Sequence, residues 1–92
     1  DPDDLIASTA WRAASVLVPD SEKSVLAEKL ATQLGRGDSD LQFSLTRFLC
    51  TLGAEIIEPL EAASNSNSEK IRTHAAFTLM RFNEIELETK KR

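Results

Sequence analysis

The chain has 92 residues, of which 41% are hydrophobic and 28% are charged, a balance that fits one globular domain with a modest core. Its formal net charge of −4 argues against a general nucleic-acid binder, and no apolar run approaches the roughly 20 residues of a membrane helix. One cysteine and one histidine exclude an internal disulfide and a metal site built from several cysteines or histidines of this chain. We therefore expect a cytoplasmic protein without a metal or other cofactor.

Helix-forming residues dominate the sequence, and glycine and proline occur only three times each. These features predict an all-α fold. Helices are expected over residues 2–17, 22–34, 40–52, 54–63 and 69–82, and residues 83–92 are expected to form a frayed tail. Because residue 1 is Asp and not Met, we expect residues 1–92 to be a single helical domain that is a module of a larger protein.

Glycine, proline and short polar residues mark the expected ends of the helices. Gly35 and Gly53 follow apolar helical stretches, and each is placed for the left-handed conformation that ends a helix. Pro59 falls inside the fourth expected helix, so a kink or a late start is expected there. Candidate caps are Asp1 for the first helix, Asp20 or Ser21 for the second, Asp38 or Ser39 for the third, and Ser66 with Glu69 for the fifth.

The third and fifth expected helices carry apolar residues on two flanks. The main stripe of the third helix consists of Leu41, Leu45, Leu49 and Leu52. Phe43 and Cys50 lie nearly opposite this stripe, and Phe77 and Met80 have the same relation to the main stripe of the fifth helix. A helix with two apolar flanks must be covered on two sides, which stacked helical hairpins provide.

A helix pair recurs about every 30 residues along the chain. A shift of 30 residues places the stripe of the third helix on Ile71, Ala75, Leu79 and Phe82. Residues 12–17 (RAASVL) also resemble residues 47–52 (RFLCTL) and 74–79 (HAAFTL). The two alignments differ by a few residues, so the repeat is degenerate.

Residues 52–60 (LGAEIIEPL) and 71–79 (IRTHAAFTL) resemble the HEAT-repeat family, particularly its short phycobilisome-lyase HEAT-like repeat. The first segment is similar to the family's turn between hairpins, with a proline before leucine. The second is similar to its Arg-x-x-Ala-Ala-x-x-Leu helix, with Arg72 in the arginine position. The resemblance covers most of residues 1–82 and implies a short right-handed α-solenoid of helical hairpins. A compact five-helix bundle would use the same apolar stripes and is the alternative.

Three features have both a chemical and a structural interpretation. Residues 36–38 (RGD) match a tripeptide that integrins recognise, but a glycine stop and an acidic cap are also what a helix–helix turn requires, and we favour the turn. Cys50 and His74 could act as nucleophile and base. Both are expected inside helices without an activating motif, so we expect Cys50 to pack as a small apolar residue. The acidic residues of segment 1–4 suit helix capping better than cation binding.

The arginines are the candidate partner-binding residues. In HEAT-like solenoids the second helix of each pair lines the concave surface where partners bind. The resemblance therefore implies that Arg47 and Arg72, with Arg12 behind them, face a protein partner and pair with its acidic segments. Solvated or intramolecularly paired arginines are the alternative. Trp11 is either an exposed anchor beside Arg12 or a core residue, and the sequence leaves both open.

These observations together predict a non-catalytic scaffold or protein-interaction module that docks a partner on the surface of its long helices. Uncovered apolar flanks at the ends of the array also predict self-association or extension by further repeats. The alternative function, implied by the resemblance alone, is part of a bilin lyase-type protein acting on phycobiliproteins. A membrane or a nucleic acid is not expected as a partner.

Overall fold

A computed structural model describes residues 2–90 of the chain. It contains five α-helices and, within this range, no β-strand. The helices are α1 (Pro2–Leu17), α2 (Lys23–Ala31), α3 (Ser39–Thr51), α4 (Ile57–Ala63) and α5 (Glu69–Lys90). Short 3₁₀ turns, Asp20–Glu22 and Gly53–Ile56, precede α2 and α4. The prediction of an all-α fold is confirmed.

The predicted helix ends agree with the structure to within a few residues at most positions. Gly35 and Gly53 have φ angles of +79°, so both adopt the left-handed conformation that glycine accepts most readily. The fourth helix has the predicted late start, because the chain passes through a 3₁₀ turn before α4 begins. Pro59 lies in the first turn of α4, where its missing N–H breaks no helical hydrogen bond. Residues 83–90, expected as a frayed tail, form the last turns of α5.

Two helix starts are stabilised by side-chain caps. Asp38 precedes α3, and its Oδ1 accepts a hydrogen bond of 3.0 Å from the N–H of Leu41, as predicted. Ser68 precedes α5, and its Oγ accepts a 3.4 Å bond from the N–H of Ile71. Each cap satisfies one of the backbone donors that a helix leaves unpaired at its start.

Two other cap predictions are wrong. Ser66 lies two residues too early to cap α5, and its Oγ instead accepts a 3.1 Å bond from the N–H of Ser68 within the loop. Neither Asp20 nor Ser21 caps α2, because both lie in the preceding 3₁₀ turn and the N-cap position is Glu22, which makes no side-chain cap bond. Asp1, the expected cap of α1, lies outside the described residues.

The helices are arranged in two layers. The long helices pack in chain order, α1 against α3 and α3 against α5, while α2 packs against α4 and the Gly53–Ile56 turn, and α4 packs against α5. Among the described residues, α1 and α5 are not an extensively packed pair. The core lies between the layers and consists of Trp11, Ala27, Leu30, Leu34, Leu41, Leu45, Leu49, Leu52, Ile56, Leu60, Ala75 and Phe82.

The second apolar flanks of α3 and α5 remain uncovered. The predicted stripe of α3 is buried in the core as expected. On the other flank, Phe43 is 56% exposed and Met80 is 52% exposed. The reason is that the layer of short helices covers only one side of the long helices. The radius of gyration is 12.6 Å, the value of a compact domain of this length, and no helix within residues 2–90 is long and apolar enough to span a bilayer.

Candidate protein-docking surface

A groove runs along the outer surface between α3 and α5. Its volume is about 700 Å³, and its apolar lining includes Phe43 and Cys50 from α3 and Phe77 and Ile85 from α5. The rings of Phe43 and Phe77 meet edge to face, with centroids 5.5 Å apart and an interplanar angle of 64°, a favourable aromatic arrangement. Because these apolar side chains are open to solvent, the groove offers the kind of surface that partners cover.

Two arginines line the groove from opposite helices. Arg47 comes from α3 and Arg81 from α5, four residues after Phe43 and Phe77 respectively. Arg81 pairs with Glu84, its Nη1 lying 3.1 Å from the carboxylate oxygen. This pair is solvent-exposed and therefore weak, so both guanidinium groups can exchange their present contacts for a ligand carboxylate.

The positive surface continues from the groove onto α1. Arg12 and Arg47 line a neighbouring hollow of about 340 Å³, together with Val16 and Phe48. The outer sides of α1, α3 and α5 therefore carry Arg12, Arg47 and Arg81, which we call the arginine face. The structure brings together two of the predicted binding arginines, Arg12 and Arg47, across a helix–helix boundary.

Arg72 does not lie on the arginine face. It precedes Arg81 by nine residues, about two and a half helical turns, so the two side chains leave α5 on opposite sides. Its Nη1 donates a 2.9 Å hydrogen bond to the carbonyl of Ser66 in the preceding loop. Intramolecular pairing, the alternative for the arginines, therefore describes Arg72.

Trp11 is only 7% exposed, so of its two interpretations the core residue applies. Arg36 lies over its ring, with Cζ 6.0 Å from the ring centroid, and Arg36 also pairs with Asp4 at 3.3 Å. Asp38, the other charged residue of the RGD segment, caps α3. Both charged groups of that segment are thus engaged within the chain, as the turn interpretation expects.

A buried histidine links α5 to two other parts of the chain. His74 is 4% exposed, and its Nδ1 accepts a 2.9 Å hydrogen bond from the N–H of Gly35 in the turn before α3. Its Nε2 lies 2.9 Å from the carbonyl oxygen of Gln42 and 3.0 Å from Oγ1 of Thr46, both on α3. Thr46 Oγ1 lies 2.8 Å from Thr78 Oγ1 on α5.

Only one arrangement of protons satisfies this network. The N–H of Gly35 must donate, so Nδ1 of His74 carries a lone pair and Nε2 carries the proton. Thr78 donates its hydroxyl proton to the carbonyl of His74 at 2.8 Å, so Thr46 donates to Thr78 and accepts from Nε2. Burial lowers the pKa of His74 below its usual 6.5, and the carbonyl of Gln42 opposes this shift only partly. The imidazole is therefore held in its neutral form.

Cys50 and His74 do not form a nucleophile–base pair. Both ring nitrogens of His74 are engaged by Gly35, Gln42 and Thr46, whereas Cys50 lines the groove. Burial raises the pKa of the Cys50 thiol, with the charge of Arg81 acting in the opposite direction. A thiol with a raised pKa is a poor nucleophile at neutral pH. No group of three or more metal-ligating side chains occurs within residues 2–90.

The pairing of two phenylalanines with two arginines has a sequence signal that the 30-residue comparison misses. Residues 43–48 (FSLTRF) recur as residues 77–82 (FTLMRF), with identical residues at four of the six positions. In each copy, Phe and Arg are four residues apart and so share one helix face. A shift of 34 residues therefore predicts that Arg81, rather than Arg72, is the counterpart of Arg47.

Comparison with protein families, with curated proteins and with solved structures finds no match for this chain. The similarity to HEAT-like repeats therefore depends on the residues of the chain itself.

Proposed function

We propose that this chain is a non-catalytic protein-interaction module that binds an acidic, apolar segment of a partner protein on the arginine face. The observation that carries the proposal is the α3/α5 groove, in which exposed Phe43 and half-buried Phe77 lie beside Arg47 and Arg81. The aromatic rings supply apolar contact area, and the guanidinium groups supply charge-assisted hydrogen bonds to carboxylates.

Charge supports an acidic partner. The chain as a whole has a net charge of −4, yet three arginines gather on one side of its long helices. The acidic side chains nearest the groove are Asp40, on its lining, and Glu84, which pairs with Arg81. An amphipathic helix with apolar residues on one face and carboxylates beside them matches this groove, since helix-in-groove docking needs such a pattern.

The order of packing favours the solenoid as the architecture behind this surface. Long helices that pack only with their chain neighbours form an open row, whereas a closed bundle would bring α1 against α5. The repeated segment 43–48 and 77–82 places the same two side chains on successive long helices, as expected when one structural unit is duplicated. We propose a short right-handed HEAT-like array on these grounds.

Peptide selection followed by NMR mapping tests this function. Displayed random peptides are selected against the chain, and the best binder is titrated into ¹⁵N-labelled protein. We expect the selected peptides to combine Asp or Glu with paired apolar residues, and to shift the amide signals of residues 43–51 and 77–85. Their binding should weaken at high salt, because the carboxylate contacts are exposed to screening.

Charge reversal gives the matched comparison. Arg47→Glu combined with Arg81→Glu is expected to weaken peptide binding about tenfold or more, which corresponds to about 1.4 kcal/mol. Arg72→Glu changes the same charge on the opposite side of α5 and should leave the affinity within about twofold. Equal losses from both changes, or shifts confined to other helices, would contradict the proposed surface. Circular dichroism confirms that each variant is still helical.

The alternative, a bilin lyase-type protein acting on phycobiliproteins, depends only on the repeat resemblance. A visible absorption band that appears when the chain is mixed with a bilin, and that persists after gel filtration, would support it over a purely protein-binding role.

A further inference from the structure

We propose that two copies of this chain associate through the uncovered apolar face of α1, in an antiparallel arrangement with two-fold symmetry. This face lies outside the α3/α5 groove, so the proposal is independent of the function proposed above. Four large aliphatic side chains form it, which are Leu5, Ile6, Val16 and Leu17, with exposures of 71, 67, 70 and 79%. Side chains of this type rarely gather on a surface that stays in contact with water.

The face is free of charge across half the circumference of α1. Successive residues of a helix are rotated by about 100°, which places Asp3 and Arg12 on opposite margins of the face. Between these margins lie only Pro2, Leu5, Ile6, Thr9, Ala10, Ala13, Val16 and Leu17. A second negatively charged copy can therefore approach this face without bringing like charges together.

The spacing of the side chains is symmetric about the middle of the helix, near position 11. Leu5 and Leu17 are equally far from this point, and so are Ile6 and Val16. When two such helices cross in opposite directions, Leu5 of each copy meets Leu17 of the other, and Ile6 meets Val16. A two-fold interface needs this kind of self-complementary surface.

Small residues lie where the two helices would cross. Thr9, Ala10 and Ala13 are exposed at the centre of the face, and their short side chains allow close approach of the backbones. Trp11, the large residue at the same level, points to the opposite side and is buried in its own domain. The helix is thus narrow in the middle of this face and bulky at both ends, which allows two copies to interlock.

The area of the face sets the strength of the association. A large aliphatic side chain buries roughly 100 Å² when it is fully covered, so four partly covered ones and the small residues between them give roughly 500 Å² per copy. The total of roughly 1,000 Å² is near the lower limit for a specific interface. We therefore expect a reversible dimer with a dissociation constant of roughly 10–100 μM.

Sedimentation equilibrium tests the association. Between about 5 and 500 μM, the average mass is expected to rise from the monomer value of 10.2 kDa towards twice that value. Leu17→Glu should raise the dissociation constant about tenfold or more. Leu87→Glu is the matched control, because Leu87 is an exposed leucine of α5 and its replacement should leave the constant unchanged. A monomer at every concentration, or equal effects of both changes, would overturn the proposal.

Cysteine cross-linking tests the antiparallel direction. In a Cys50→Ser background, chains carrying Leu5→Cys are mixed with chains carrying Leu17→Cys and oxidised with a glutathione redox buffer. The proposed arrangement predicts that the mixed 5–17 disulfide forms faster than the 5–5 or 17–17 disulfide. Faster formation of either like-with-like disulfide would exclude the antiparallel pair. Both single variants keep the groove intact, so peptide binding on the arginine face should persist even if this dimer does not form.

Discussion

Acidification below pH 6.5 is expected to destabilise the protein through His74. In the folded state Nδ1 accepts a bond from the N–H of Gly35, so a proton added there would face another donor in a buried site. Burial therefore lowers the folded-state pKa below the usual value of 6.5. The unfolded chain binds a proton more readily than the folded chain in this window, and stability consequently falls as pH decreases.

The size of the effect follows from this single titration. While the unfolded state is protonated and the folded state is not, the free energy of unfolding changes by about 1.4 kcal/mol per pH unit. The loss begins near pH 6.5, and it ends once the pH is below the folded-state pKa of His74. Above pH 7 the imidazole is neutral in both states, so its contribution to stability no longer depends on pH.

Urea unfolding followed by circular dichroism at 222 nm measures this dependence between pH 5.5 and 7.5. His74→Asn is the control, since its amide oxygen can replace Nδ1 as the acceptor for Gly35 but cannot titrate. At pH 7 we expect this variant to be about 1–3 kcal/mol less stable than the parent, because contacts of Nε2 are lost. The difference should shrink as the pH falls.

His74 is the only histidine, so no other imidazole contributes to the comparison. A parent protein with constant stability across this range would refute the assignment of a neutral, buried imidazole. An identical slope in the parent and in His74→Asn would place the titrating group elsewhere.

Two further predictions concern the core and the turns. Leu49→Ala removes a fully buried side chain and should lower stability by about 2–5 kcal/mol, whereas Val25→Ala, at an exposed position, should cost less than about 1 kcal/mol; thermal melting distinguishes the two, and equal effects would contradict the core assignment. Gly35→Ala should destabilise more than Gly53→Ala, although both glycines have φ of +79°, because an added Cβ at position 35 would lie 3.2 Å from backbone atoms at the start of α5 while position 53 is open. Urea midpoints in the reverse order would refute this reasoning.

Local sequence patterns determined the helices and their main buried stripes. The regular spacing of Leu41, Leu45 and Leu49 identifies one face of α3 without any knowledge of its neighbours, because helical periodicity is a property of the segment itself. Gly35 and Gly53 ended their helices as predicted for the same reason, since the left-handed conformation is a local preference of glycine. Two caps were misplaced because several short polar residues near α2 and α5 are chemically able to cap.

The docking surface depended on contacts between segments. Phe43 and Phe77 are 34 residues apart in sequence, and their proximity comes from the side-by-side packing of α3 and α5. Arg47 and Arg72 appear equivalent in a 30-residue alignment, yet they lie on different sides of the long helices because the helix pairs repeat with a different spacing.

His74 shows most directly what tertiary structure decided. The sequence determined that the chain has one imidazole and that it lies inside a helix. Its tautomer, its lowered pKa and its role in joining α5 to α3 come from Gly35, Gln42 and Thr46, which lie on other segments. The ionisation of a buried group is set by the atoms that surround it in space, and those neighbours are defined only when the helices have packed.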